Sequence, residues 1–174
     1  MTRFAAVLCL LISCGAPGQV PTSANQSEDE AAIRRVVAQS DQYWNQHEFL
    51  KGAELRTADS VDVNVVGIRS THAEISQGLP PWFQKAFGKS TLHSTVIWIK
   101  FIRPDIAAVD TNWEMHGGRC PDGSDDAKSD TFRKGLMSLV MVKDQGEWRI
   151  AVFHNMDLPT KAADGKTEVP CQFH

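Results

Sequence analysis

Six histidines and two distal cysteines are the groups through which this chain could do acid–base, metal or thiol chemistry. One stretch, TNWEMHGGRC from Thr111 to Cys120, gathers a tryptophan, a glutamate, a histidine and a cysteine. It reads either as a reactive site or as a strand running out into a glycine turn. His47, His72, His93, His116, His154 and His174 never fall at the i, i+4 helical spacing of a zinc pair, and Cys120 and Cys171 have no CxxC neighbours. No metal is therefore expected. The acidic run DGSDDAKSD lacks the order of ligands of a calcium loop, and Gly117-Gly118 precedes a loop where a nucleotide site needs a helix, so no cofactor is expected either. His116 reads as a solvated residue at a strand end. His154 is the stronger candidate, because it closes the last apolar run beside Asn155 and strand alternation sends one of the two inward. A histidine in an apolar interior would serve as a general base. His93, in TLHSTV at the start of a strand, is the second candidate, placed at a pocket rim.

These groups have to be positioned by whatever part of the chain folds, and the first residues bear on that. MTRFAAVLCLLISCG carries Arg3, an apolar run too short to span a bilayer as a permanent helix, and then Leu11-Ile12-Ser13-Cys14. The start reads as an export signal. Leu-Ile-Ser-Cys resembles the lipobox of bacterial lipoproteins, which implies cleavage before Cys14 and a lipid on that cysteine. Ordinary cleavage at or just after Ala16, giving a periplasmic or secreted protein, is the competing reading. Export leaves Cys120 and Cys171 in an oxidising compartment, either as a disulfide between a long loop and the tail or as two free thiols. Loss of residues 1 to 13 removes one of 18 basic residues against 21 acidic ones, a net of −4. A mildly acidic chain without a basic run does not fit nucleic acid. Residues 15 to 27 are small and polar, a flexible tether, and the folded domain is expected from about residue 28.

At that point Ser27 and Glu30 fit a capping box, and Ile33, Val36, Val37 and Trp44 recur at helical spacing, so one amphipathic helix is expected over about 28 to 46. FLKGAELRTA reads as a second, shorter helix, and VDVNVVG as a strand. THAEISQGLPPWFQKAFG is helical on both sides of Pro80 and Pro81, which break it, one of them opening the second piece. STVIWIKFI, IAAVDTNWEM, KGLMSLVMVK and EWRIAVFHN are four strands, with a projecting loop over 117 to 132. Helices followed by consecutive strands give an α+β class with a largely antiparallel sheet. Trp44, Trp98 and Trp148 read as core packing.

The order of helix, WNQHE, short helix, TADSVDVNVVG, helix and four strands ending in WRIAVFHNMDLP resembles the SnoaL-like group of the NTF2-like superfamily. YWNQHE, NVVG, RPDIAAVD and KGLMSLVMVKDQGEWRIAVFHN look most like its SgcJ/EcaC branch, over about residues 28 to 158. The resemblance implies a curved sheet wrapped around helices as a cone with an apolar pocket, and a homodimer paired through the sheet. The branch carries an oxidoreductase label, although no residue here marks where a nicotinamide or flavin would sit.

A fold of this kind does not fix function, because it hosts isomerases, dehydratases, cyclases and plain binding modules. A steroid isomerase of the superfamily uses a strand aspartate as base and a tyrosine and a protonated aspartate as oxyanion donors. Aligned on it, those three positions fall at Asn64, Ser40 and Ser138. All are neutral, which argues against that chemistry. The same alignment turns Thr111, Trp113 and Met115 toward the pocket. Two readings follow: a domain that binds a small, largely apolar molecule among Ser40, Asn64, Thr111, Trp113, Met115, Ser138 and Asn155, or a cofactor-independent enzyme with His154 or His93 as base and Asn64 or Ser138 as hydrogen-bond partner. A collapsed cone used only for dimeric assembly is the third.

Overall fold

A computed structural model describes residues 23–118, 132–161 and 167–168. The expected signal with Cys14, most of the tether and of the projecting loop, and Cys120 and Cys171 lie outside the described residues.

The first helix, α1 (Ser23–Asn45), begins a turn earlier than the sequence suggests. Ser27 is inside it, and Glu30 bonds Gln26 across one turn at 3.5 Å instead of closing a capping box. Nothing between Ser23 and Ser27 opposes a helix, so a good cap sequence marked a permissible start and not the real one. A 3-10 turn (Phe49–Leu55) replaces the expected second helix, and β1 (Arg56–Val63) starts where that helix was to end. Asn64 stops β1: its side-chain oxygen accepts from the backbone of Val66 and Ile68 at 3.1 and 2.9 Å, and Gly67 adopts φ 79°. An Asx turn thus overrides the valine alternation that had extended the strand through VDVNVVG.

β2 (Arg69–Thr71) leads into α2 (His72–Gln77), which Thr71 and Glu74 cap reciprocally. The chain breaks at Gly78 to Pro80, and Pro81 opens α3 (Pro81–Phe87), as the proline pair implies. Four long strands follow, β3 (Thr91–Arg103), β4 (Ile106–His116), β5 (Arg133–Asp144) and β6 (Glu147–Asp157), with a small ladder β7 (Thr160–Lys161) and β8 (Thr167–Glu168) beyond them. The main sheet runs β2-β1-β6-β5-β4-β3, antiparallel except for the parallel pair β1–β6.

This sheet is not closed, so β3 has a free edge, and α1 covers it with polar side chains. Arg34 donates to the Val96 carbonyl at 3.0 Å, Asp41 accepts from the Ser94 hydroxyl at 2.7 Å, and Asn45 bonds both backbone groups of Leu92. As the helix ascends, its partners descend the strand by two residues each, which blunts an edge otherwise ready to pair with another chain. Inside, Ile33 and Val37 of α1 meet Ala107, Val109, Leu139, Met141, Trp148 and Ile150 of the sheet. A fully buried aliphatic side chain of this kind contributes about 1.5–3 kcal/mol.

Candidate functional site

The core fills only one end of the space between helices and sheet. The other end holds a cavity of about 550 Å³. One wall is aromatic: Trp44 packs against Phe49, Phe83 and Phe87 with ring centroids 5.0 to 5.8 Å apart. Its indole nitrogen donates to the Ser90 hydroxyl at 2.9 Å, so the cluster buries no unpaired N–H. Tyr43 and Ser40 from α1 and Ile75 from α2 join this wall.

The opposite wall comes from the sheet. Trp113 of β4 faces Gly135 of β5, and its ring lies where a side chain on Gly135 would stand: an added Cβ would come within 2.2 Å of the ring. Free of that obstruction, the indole N–H reaches across to β6 and donates to the Asn155 side-chain oxygen at 2.6 Å. The guanidinium of Arg133 lies 5.7 Å from the Trp113 ring centre. Its Nη2 donates to both Asp157 oxygens at 2.8 Å, and both side chains of this pair are 2% exposed. Burial raises the Asp157 carboxyl above its ordinary value, against the lowering effect of the Arg133 charge and hydrogen bond. Nε and Nη1 of Arg133 are buried without a partner among the described residues. A second pair lines the cavity from β1: Arg56 grips Asp62 through Nε and Nη2, at 2.7 to 3.1 Å, and gives Nη1 to the Gly52 carbonyl.

Solved structures share this arrangement of helices, open curved sheet and interior space. One is a Novosphingobium aromaticivorans protein named after scytalone dehydratase (TM-score 0.67, 16% identity, 88% of this chain and 93% of that one). Another is a Caulobacter vibrioides protein with a cystatin-like fold (0.65, 22%, 79% and 94%). A third is a hexachlorocyclohexane dehydrochlorinase from Novosphingobium barchaimii (0.65, 8%, 88% and 99%). The fold is the NTF2-like cone. No family model matches the chain, and no curated protein matches it in sequence.

Within the cone, Ser40, Asn64, Trp113, Met115 and Asn155 all line the cavity. Thr111 does not: it points inward from β4 but is fully buried in the packed end, its hydroxyl without a partner among the described residues. Ser138 stands on the outer face, where its hydroxyl donates to Asp110 at 2.7 Å. Met137 and Leu139 take the inner positions, so the alignment on the penultimate strand was out by one residue, which reverses the face. His154 pairs in register with Ser138 and shares its outer face, exposed, while Asn155 takes the inward place. His93 is exposed on β3 opposite Glu114. Neither base candidate lines the cavity, because alternation gave each inward position to its neighbour. Trp98, expected in the core, is 47% exposed at a β-bulge, while Trp148 is buried as expected and Trp44 is partly buried in the cavity wall.

Arg133, Asp157, Arg56 and Asp62 were not foreseen. A signal existed for the first two: Arg133 is in phase with Gly135, Met137, Leu139 and Met141, and Asp157 with Asn155 and Phe153. A charge in phase with a core face marks a buried partner nearby.

Proposed function

We propose that this protein binds one small, largely apolar molecule inside the cone. The carrying observation is the cavity itself, whose aromatic wall is packed and whose deeper polar side chains, Arg56, Asp62, Trp113, Asn155 and Arg133, are positioned by hydrogen bonds. That is the composition of a small-molecule site. The volume argues against a collapsed cone. A general-base enzyme finds less support, since His93 and His154 are both outside and the titratable groups lining the cavity include two tightly held arginines. The dehydratase and dehydrochlorinase names among the structural neighbours keep a lyase reading open through other groups, such as Asp62.

We further read the chain as an exported lipoprotein, lipidated at Cys14, of the SgcJ/EcaC type, and as a homodimer paired through the outer sheet face. Trp98 and Met156, 47% and 48% exposed on that face, support the pairing. Native mass spectrometry of the purified protein, before and after denaturation, tests the binding reading. A small molecule released on unfolding and absent from Trp113→Ala supports it; an empty protein that also takes up no apolar probe refutes it.

A further inference from the structure

The two ends of the cavity differ in what they leave unsatisfied. At the β4–β6 end Trp113 Nε1 donates to the Asn155 side-chain oxygen, which turns the amide N–H groups of Asn155, a cavity-lining residue, into the donors of that side chain. Next to them Arg133 spends only Nη2 on Asp157 and keeps Nε and Nη1 unpaired. An ionised group at 2% exposure with spare donors is costly to bury, and such atoms are normally met by protein, water or ligand. The acceptors at this end are already engaged, both Asp157 oxygens by Arg133 and the Asn155 oxygen by Trp113. The charge is also taken: Arg133 and Asp157 together are neutral, so a second carboxylate would set two anions against one cation in apolar surroundings.

Resting on the reading of the cone as an apolar-ligand site, we propose that its ligand carries an uncharged oxygen acceptor, a ketone- or ester-type carbonyl, which the spare donors of Arg133 and the amide of Asn155 receive. The rest of the molecule lies against the aromatic wall. Arg133 is then a specificity residue: it chooses a polarised carbonyl over both a hydrocarbon and an acid. Gly135 serves the same end indirectly, because the Trp113 ring, bonded to Asn155 and 5.7 Å from the Arg133 guanidinium, occupies the space a side chain there would fill.

Three probes of matched shape test this by titration calorimetry: methyl naphthyl ketone, isopropylnaphthalene and naphthoate. The ketone is expected to bind roughly tenfold to a hundredfold more tightly than the hydrocarbon, as hydrogen bonds to charged donors typically give. Naphthoate is expected to bind more weakly than the ketone. The double variant Arg133→Met/Asp157→Leu, which removes both charges together, is expected to keep the hydrocarbon and lose the preference. Should that variant not fold, the Nε–H resonance of Arg133 in nitrogen-labelled wild type replaces it, expected to move with the ketone and stay put with the hydrocarbon. Equal affinity for ketone and hydrocarbon, or an unmoved Nε–H, overturns the proposal while leaving the apolar cavity intact. Tighter binding of naphthoate overturns the neutral-acceptor choice. Failure of all three probes overturns the binding reading itself and the proposal with it.

Discussion

Two arginines that line the same cavity, Arg56 and Arg133, are each paired with an aspartate, and the pairs are built to different ends. Arg56 and Asp62 form a completed clasp: every guanidinium nitrogen has a partner, the carboxylate is held from two nitrogens, and one bond reaches back to the Gly52 carbonyl to tie the 3-10 turn to β1. The side chains remain 11% and 14% exposed, and Arg56 also covers the Phe153 ring at 5.4 Å. Arg133 and Asp157 are deeper, at 2% each, and incomplete. The more buried pair is the less satisfied one. Burial alone would favour the reverse, since a desolvated charge gains most from each hydrogen bond. The first pair thus reads as architecture, and the second as architecture that also carries the two unpaired donors on which the ligand proposal rests.

The largest test of that contrast is Arg133→Met. It strands a buried carboxylate, and a loss of about 3–5 kcal/mol in urea unfolding is expected. Adding Asp157→Leu should restore most of it, because removing both partners of a buried pair is often near neutral. If the single variant lost no stability, Asp157 would have to be solvated and the contrast would disappear. Gly135→Ala is next, at about 1–3 kcal/mol from overpacking, since the new methyl meets the Trp113 ring and the Met156 carbonyl. Its second effect separates it from a generic core defect: Trp113 fluorescence and apolar-probe binding should change together. Arg56→Met should cost less than Arg133→Met, about 1–2 kcal/mol, because water reaches Asp62 and can replace part of what is lost. An Arg56 effect equal to that of Arg133 would mean that the two pairs do the same work.

What the sequence could show follows the same division. Element order, the proline break and the inward phase of β4 were all readable, because each depends on local chemistry or on a period of two that runs uninterrupted through IAAVDTNWEM. The cavity-lining set was readable where the phase was right, as at Trp113 and Met115, and lost where it slipped, as at Ser138 and His154. Asn64 was readable as a cavity residue but not as the turn that ends β1, since valine alternation and an Asx turn compete for the same four residues. The arginine pairs were hidden for a different reason. A lone Arg56 looks like any surface charge until β1 brings a carboxylate 6 residues on beside it, and the phase of Arg133 with Met137 and Leu139 marks it as inward without naming Asp157, 24 residues away, as its partner. The second pairing, between β5 and β6, is a property of the sheet, and no short window along the chain contains it.

The smallest expected effect concerns protons at the incomplete pair. Burial raises Asp157 above its ordinary value of 3.8 despite Arg133. A folded value above the unfolded one means that folding disfavours the ionised form. The stabilising contribution of this group is then fully present below the unfolded value and is lost as pH rises through the folded one. Asp157→Asn cannot titrate, whereas Asp41, also raised by burial, is common to both proteins and cancels. The difference in unfolding free energy, wild type minus Asp157→Asn, should therefore move in favour of wild type as pH falls from about 6 to about 4. A difference that moved the other way would show that the Arg133 charge outweighs desolvation. Arg133 would then be committed to Asp157 as fully as Arg56 is to Asp62, with nothing held back for a ligand.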